Sequence, residues 1–430
     1  MARAGTVVIL AAGQGTRMKS ATPKVLHRLC GRTLLGWVLA EARSLQAERV
    51  IVVVGEGAPE VERVLRAEED AHGLRFVLQA ERRGTGHAVQ TAAAQLAAAP
   101  GPVVILYGDM PLLSEASLAA LVEAQGRSGA ALLTALPAAP RGFGRIVRAD
   151  GERGPVRAIV EEKDATPAQR ALREVNAGVY CFDKDALLRL LPRLRSDNAQ
   201  GELYLTDLIA LLVAEGARPE ACVLSDEREA IGVNTLAHLA EARGALQERI
   251  LERHLEAGVQ IEDPATTFID HGVEIGPRTR ILPCTVIRSG VRIGADCEVG
   301  PFAHLRGGTV LEDGAEIGNF TEAKKAHLGS GTKAKHLTYL GDVRIGRRAN
   351  IGAGTIVANY DGKQKHETVI GDGAFIGSGT VLVAPSKVGD GALTGAGAVV
   401  TRKEIPAGAV WVGVPARPLV GRGKAREGGG

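Results

Sequence analysis

VVILAAGQGTRMKSATPKVLH, residues Val7 to His27, joins a short apolar run to a turn built of small residues and cations. Val7, Val8, Ile9 and Leu10 read as a buried strand. Ala11, Ala12, Gly13 and Gly15 follow, and residues this small let the backbone approach a ligand without Cβ interference. Arg17 and Lys24 lie just beyond, the second held by Pro23 in a stiff segment, and they supply the positive charge a phosphate needs. Two familiar phosphate motifs do not fit. A P-loop requires Gly-Lys-Ser/Thr after four intervening residues, and a dinucleotide fingerprint requires a third glycine where Met18 stands. Alone, a Gly-x-Gly turn is an ordinary tight turn at a strand end, so the rest of the chain has to decide.

Downstream, strand and helix alternate. Leu34 to Ala42 has helical spacing, Val50 to Gly55 is a second buried strand, and VERVLRAEE is helical again. FVLQ, the turn ERRGTGHAVQ with its alanine-rich helix, and the strand Val103 to Asp109 continue the pattern. Repeated strand-helix units imply a Rossmann-like α/β domain with a mostly parallel sheet. Ligands of such sheets sit outside the carboxyl ends of the strands. Asp109 stands at such an end, where a carboxylate either holds magnesium against phosphates or caps a turn, and position alone leaves both open.

Composition sets bounds on the whole. At 430 residues two domains are expected. Lys plus Arg number 52 against 49 Asp plus Glu, so no global field marks a nucleic-acid or membrane-surface binder. No apolar run is long enough to span a bilayer, and the N-terminus runs straight into a strand where a leader would be basic and apolar; a soluble cytoplasmic protein is expected. Cys30, Cys181, Cys222, Cys284 and Cys297 are odd in number and widely spaced, which indicates reduced thiols and no disulfide framework or structural zinc site.

From Leu236 to Ala257 the apolar spacing is that of a linker helix, which Asp263-Pro264 should end. Beyond it the period changes. Aliphatic residues recur every sixth position at Ile275, Ile281, Ile287, Ile293, Val299, Leu305, Leu311 and Ile317, then again at Ile345, Ile351 and Val357 and from Ile370 to Val400. A hexapeptide period marks a parallel β-helix, in which each aliphatic side chain stacks on the coil before it. The spacing lengthens between Ile317 and Leu328, over NFTEAKKAH, and between Val357 and Ile370, over ANYDGKQKHET. Both stretches are read as polar excursions from the prism and as candidates for binding.

LAAGQGTRM followed by PKVLH resembles the signature of sugar-1-phosphate nucleotidyltransferases, the pyrophosphorylases that make nucleotide sugars. In the second half KHLTYLGD, NFTEAKKA, NIGAGT and ANYDGK are similar to the acetyltransferase half of the bifunctional N-acetylglucosamine-1-phosphate uridyltransferase/glucosamine-1-phosphate N-acetyltransferase family. The resemblance spans nearly the whole chain. It implies that Gln79, Gly84 and Thr85 meet the uracil base of UTP, that Gly144, Glu161 and Asn176 meet the sugar, and that GELYLTDLI forms a helix beside them. Gln79 carries both a donor and an acceptor, which suits the imide edge of uracil. Leu10, Ala12, Gly13, Lys24, Tyr107 and Gly108 join the UTP and UDP-sugar set, Arg17 and Lys24 are catalytic, and Asp109 with Asn234 binds Mg²⁺.

For the second half the family implies a left-handed coil and a homotrimer. His336 becomes the general base, Arg306 and Lys324 meet the sugar phosphate, and Tyr339, Asn350 and Lys365 complete the glucosamine-phosphate pocket. Asn359, Tyr360, Ser378 and Ala396 match the acetyl-CoA side. The chemistry asks for such types, because an amino sugar must lose a proton before it attacks a thioester and a phosphate wants cations. Two departures stand out. Fewer coils precede the PFA-LR segment than in familiar members, and the C-terminal text GVPARPLVGRGKAREGGG lacks the expected arginine-rich tail, which leaves Arg417 as the substitute and a disordered glycine end. The expected layout is a nucleotidyltransferase domain over 1–236, a linker helix over 237–262 and an acetyltransferase β-helix over 263–430. A single-activity nucleotidyltransferase, with the β-helix serving assembly or regulation, is the alternative; a non-catalytic scaffold is a weaker one.

Overall fold

The computed structural model describes residues 3–68, 73–151 and 154–419. The glycine-rich end beyond them, expected to be disordered, lies outside the described residues. The chain divides into two compact units, Met1–Ala245 and Leu246–Gly430.

In the first unit the opening run is the strand Thr6–Ala11, buried along its whole length. Val7 and Ile9 pack with Leu35, Val38 and Leu39 on one face, and Val8 and Leu10 with Val89, Leu96 and Ile105 on the other. Two covered faces explain why the sequence is continuously apolar and not alternating. Thr6–Ala11 is flanked in parallel by Arg49–Val54 and Val103–Tyr107, with Leu74–Leu78 beyond the first. On the other side Val175–Phe182 runs antiparallel to both Val103–Tyr107 and Ala130–Ala135, and Glu220–Val223 closes the edge in parallel. Strand order therefore runs outward in both directions from Thr6–Ala11, and the carboxyl ends of three parallel strands open onto one crevice. Gly13, Gln79 and Asp109 lie just beyond those ends.

Three local expectations change. The alanine-rich helix is split at Ala92 into Thr85–Thr91 and Ala93–Ala97. GELYLTDLI becomes helical only from Asp207, because its first part docks on the 83–86 turn: the Leu203 N–H donates to Arg83 O at 2.7 Å and Gly86 N–H to Leu203 O at 2.8 Å. The helix Leu236–Glu256 stops before Asp263-Pro264. Gly258 takes a left-handed φ of 83°, its N–H reaches Leu255 O at 3.0 Å, and Val259 N–H reaches His254 O at 3.0 Å, a Schellman stop that leaves Gln260–Ile261 free to enter a sheet.

The second unit is a parallel β-helix. Ile281, Val299 and Ile317 stand in register on one sheet, Ile269, Ile287 and Leu305 on a second path, and Ile275, Ile293 and Leu311 on a third. The first supposed excursion is not one. Ala323 pairs with Leu305 and is fully buried, Leu328 pairs with Leu311, and Glu322–Leu328 is a continuous strand. The coil is simply one residue short, with alanine in the inner place where a search for larger aliphatics passes over it; Ala334 continues the column of Ile317 and Leu340 that of Ala323. The second excursion is real: Ile356–Ala358 still pairs with the next coil and Thr368–Ile370 rejoins the sheet beside Val343–Ile345, so residues 359–367 between them loop out, and Tyr360 bridges Lys365 across that loop.

Close stacking makes glycine obligatory at particular coil positions. A methyl on Gly318 would lie 2.0 Å from Lys335 O and 2.6 Å from Lys335 C, backbone atoms that have no rotamer to yield, whereas one on Gly244 meets open space. Gly318→Ala is expected to lower stability by about 1–3 kcal/mol, and Gly244→Ala, in a helix interior, to raise it by about 0.5–1 kcal/mol. Urea unfolding of the full chain checks both; effects of the same sign would contradict the stacking.

Candidate active sites

The first site is assembled from three distant parts of the chain. Gly15 adopts φ 65°, and a Cβ there would lie 2.5 Å from Lys24 Cβ, so this glycine makes room for the lysine stem. Lys24, only 9 % exposed, ion-pairs through Nζ with Asp109 Oδ2 and donates to Asn234 Oδ1 at 3.0 Å. Asn234 is placed by its neighbour, whose N–H (Val233) donates to the Asp109 carbonyl at 2.8 Å. Its own Nδ2 turns back to Gly232 O at 3.2 Å, which leaves Oδ1 facing the cation. Upstream, Glu229 accepts from Ser114 N–H and Oγ at 3.0 and 2.9 Å and fixes the segment that delivers Asn234.

A cleft of about 590 Å³ surrounds this pair. Leu10, Ala12, Gly13, Arg17, Lys24, Gln79, Gly84 and Thr85 line it, as do Tyr107, Asp109, Gly144, Glu161, Asn176 and Asn234. Gly108 does not. It is buried, a Cβ there would meet Ala11 Cβ and Leu35 Cδ1 at 3.2 Å, and its N–H donates to Leu10 O at 2.9 Å, so it serves strand packing. Asn176 lies in a bulge of Val175–Phe182, donating to Tyr180 Oη at 2.7 Å and accepting from Gly178 N–H at 3.1 Å. Arg82, Arg141 and His238 also line the cleft and carry no sequence signature.

Burial, with the charges of Glu161 and Asp109 adding to it and a hydrogen bond to Thr85 opposing it, pushes the Tyr107 phenol above its ordinary range. Glu161 is likewise raised, first by burial and then by Asp207, Asp164 and Glu202, although its carboxylate accepts from Thr206 Oγ1 at 3.1 Å. Gly144 lies beside it: a Cβ there would crowd Ile159 Cγ2 at 3.1 Å and stand in ordinary contact, 3.5 Å, with Glu161 Oε2.

The donor set fits a hard divalent cation. A carboxylate oxygen of Asp109 and an amide oxygen of Asn234 converge on one positive charge, and the Lys24 ammonium marks its position. Among the described residues no group of three or more His, Cys, Asp or Glu gathers for a metal. Two protein oxygens are what magnesium uses when phosphates and water fill its other positions.

The second site lies on the β-helix. His336 ends the strand Lys333–His336, exposed, with Nδ1 3.0 Å from Asn319 Oδ1 on the preceding coil. An amide oxygen only accepts, so Nδ1 donates and the neutral ring keeps its lone pair on Nε2. Asn319 is a partner that sequence spacing did not single out. After the corner, Arg306, Lys324 and Gly341 stand in register on three successive coils. Lys365 arrives from the looped-out segment, and its contact with the Lys324 ammonium depresses the Lys324 pKa, with burial and Arg306 adding to this and Asp342 opposing it. Arg306 is held by Glu322 at 2.8 Å, and Asp342 accepts from Asn359 Nδ2. The Tyr339 ring covers Gly341, where a Cβ would lie 2.6 Å from its hydroxyl.

Four predicted residues, Asn350, Ser378, Ala396 and Arg417, lie outside this set of contacts. Asn350 pairs with Lys333 and Phe375 on the sheet that carries His336. Ser378 and Ala396 occupy equivalent exposed corners of successive coils, where Gly397 N–H donates to Ser378 O at 2.8 Å. Arg417 is exposed, and its guanidinium turns back to Ala416 O at 3.3 Å. Tyr360, on the loop, donates to Gly362 O at 2.6 Å.

A nucleotide-sized cleft at the carboxyl ends of a parallel sheet, followed by hexapeptide coils bearing a histidine and clustered cations, defines a two-domain transferase. Residues 7–257 match the MobA-like NTP transferase domain, and residues 367–402 match the bacterial transferase hexapeptide (six repeats). The chain is 45 % identical to the bifunctional protein GlmU of Streptomyces avermitilis, across 95 % of this chain and 92 % of that one. It is 46 % identical to that of Trichlorobacter lovleyi (89 % and 90 %) and 39 % to that of Alkaliphilus metalliredigens (94 % and 95 %). The chain belongs to the bifunctional GlmU family.

The raised Glu161 pKa has a sign that can be tested. Its charged form is disfavoured in the fold, so the cost is absent below the unfolded carboxyl range and fully present above the folded pKa. Glu161→Gln should therefore raise the melting temperature at pH 7, and the gain should fade as the pH falls through the raised folded pKa and be gone below about 4.3. A loss of stability at pH 7 that persists in acid would show that the carboxylate holds the fold together.

Proposed function

We propose that the chain makes UDP-N-acetylglucosamine in two reactions, acetylation of glucosamine-1-phosphate from acetyl-CoA and then uridylyl transfer from UTP to the N-acetylated product. The observation that carries this reading is the presence on one chain of two separate sites, the Lys24–Asp109–Asn234 cleft and the His336–Asn319 pair beside clustered cations. Residues 1–236 carry uridylyl transfer, 237–262 form the link and 263–430 carry acetyl transfer.

In acetyl transfer the sugar amine attacks the thioester carbonyl. A C–N bond forms, the C–S bond breaks, coenzyme A leaves as the thiolate, and the ammonium proton passes to Nε2 of His336, which Asn319 orients through Nδ1. Arg306, Lys324 and Lys365 hold the sugar phosphate, with Tyr339 and Asn350 completing the acceptor pocket. The depressed Lys324 pKa fits a cluster that gains from an arriving anion. Asn359, Tyr360, Ser378 and Ala396 serve acetyl-CoA, with Arg417 toward its phosphates.

In uridylyl transfer a phosphate oxygen of N-acetylglucosamine-1-phosphate forms a bond to the α-phosphorus of UTP, and the α–β bridge breaks to release pyrophosphate. Arg17 and Lys24 place positive charge where the leaving group develops its negative charge. Gln79, Gly84 and Thr85 hold the base, while Gly144, Glu161 and Asn176 hold the sugar. Magnesium, when held by Asp109 and Asn234, supplies charge neutralisation for the phosphates.

The protein is taken as a cytoplasmic homotrimer. Phe302 and Phe320 stack 5.2 Å apart on one exposed corner with Leu337 in the next coil, an apolar ridge that another copy would cover beside His336. Among the described residues no helix is long and apolar enough to cross a membrane. A single-activity nucleotidyltransferase would have no use for an imidazole oriented by Asn319.

Separate sites require separable losses. Asp109→Ala should abolish uridylyl transfer and leave acetyl transfer near the wild-type rate, while His336→Ala should cost acetyl transfer about 10²- to 10⁴-fold and leave uridylylation of supplied N-acetylglucosamine-1-phosphate unchanged. Thiol release and pyrophosphate release, followed on the same preparations, read the two. Equal loss of both activities in either folded variant would overturn the two-site reading.

A further inference from the structure

Gln79 follows the strand Leu74–Leu78 and lines the cleft while only 5 % exposed. Its Nε2 donates to Gly84 O at 3.2 Å and lies 3.1 Å from His87 Nδ1. A carbonyl can only accept, so the amide presents its NH₂ end, not its oxygen, to Gly84. The second N–H then falls on Nδ1, which must be the ring nitrogen that carries no proton. Both donors are consumed inside the protein. The side chain that in sequence offers a donor and an acceptor therefore offers a ligand one group, the acceptor Oε1.

His87 is well placed to enforce this. It stands on the first turn of Thr85–Thr91, behind Gly84 at φ 102°, and that turn is tied down by Gly86 N–H to Leu203 O and by Thr91 Oγ1 to His87 O at 2.8 Å each. Rotating the amide by half a turn would set Oε1 against the Gly84 oxygen and the His87 lone pair together. Acceptors facing one another without a proton are costly, so the flip is resisted by the Gly84 carbonyl and, while the His87 proton stays on Nε2, by the ring as well.

We infer that His87 is the residue that sets base specificity at the uridylyl site, by locking Gln79 with its carbonyl outward so that the N3–H of uracil is accepted and cytosine is refused. Cytosine carries a lone pair at N3 and would bring acceptor against acceptor. The inference rests on the UTP reading above and deepens it: His87 acts through Gln79 and is a positioning residue, with no contact of its own to the base required.

The test compares kcat/KM for UTP and CTP, with N-acetylglucosamine-1-phosphate and magnesium, in the full chain. His87→Phe keeps a ring and removes the acceptor; His87→Asn retains an oxygen near the place of Nδ1. His87→Phe is expected to lower the UTP-to-CTP ratio about 10- to 100-fold, part of it as a gain for CTP, and His87→Asn to restore most of it. A role in packing alone would depress both nucleotides together. An unchanged ratio in His87→Phe, or in His87→Leu should the first fail to fold by circular dichroism, overturns the inference. Failure of the wild-type protein to use UTP at all would instead sink the functional reading.

Discussion

A lysine ammonium held between a carboxylate and an amide oxygen is the contact around which the first unit is arranged. Lys24 meets residues 85 and 210 positions further along the chain, and it does so while almost wholly buried. Burying a cation is tolerable only where its partners are fixed. Gly15 clears space for the stem, the Val233-to-Asp109 backbone bond sets the two oxygens side by side, and the Gly232 carbonyl ties off the far end of Asn234. The same geometry makes the cleft receptive. Two oxygens and one ammonium form a charge set that arriving phosphates and a divalent cation can rearrange without moving the sheet beneath it.

The β-helix solves its problem by repetition. Successive coils place side chains of equivalent positions on top of one another, so Arg306, Lys324 and the glycine under Tyr339 align simply because the strands pair in register. Lys365 cannot come from that lattice and arrives on the loop that follows Ile356–Ala358. The His336–Asn319 pair is also a product of stacking, one coil apart on the neighbouring sheet. Spacing by whole coils is what turns residues remote in sequence into a single corner.

Much of this was legible beforehand. Val7 to Leu10 could be assigned because a strand covered on both faces has no polar face to show, and the hexapeptide period because few other folds repeat at six. The family motifs led to fourteen residues that line the cleft. What failed has physical causes. Ala323 and Ala334 fill inner positions that a search for large aliphatics passes over, so a continuous strand looked like an excursion. A left-handed glycine ended the linker helix earlier than the more conspicuous Asp-Pro pair suggested. Asn319 and His87 meet His336 and Gln79 through single tertiary hydrogen bonds, and no local pattern encodes those.

The position of the cation is the point on which the account turns, and it can be measured without turnover. Binding of Mn²⁺ to the nucleotide-free protein, followed by electron paramagnetic resonance, reports whether the Lys24 ammonium occupies the place a metal would take. Lys24→Met removes the competing charge and leaves both oxygens, so the affinity should rise about tenfold or more, and Asp109→Asn added to it should abolish the gain. Affinity that is unchanged or weaker in Lys24→Met would mean that Asp109 and Asn234 hold the lysine for structural reasons and do not mark a metal site.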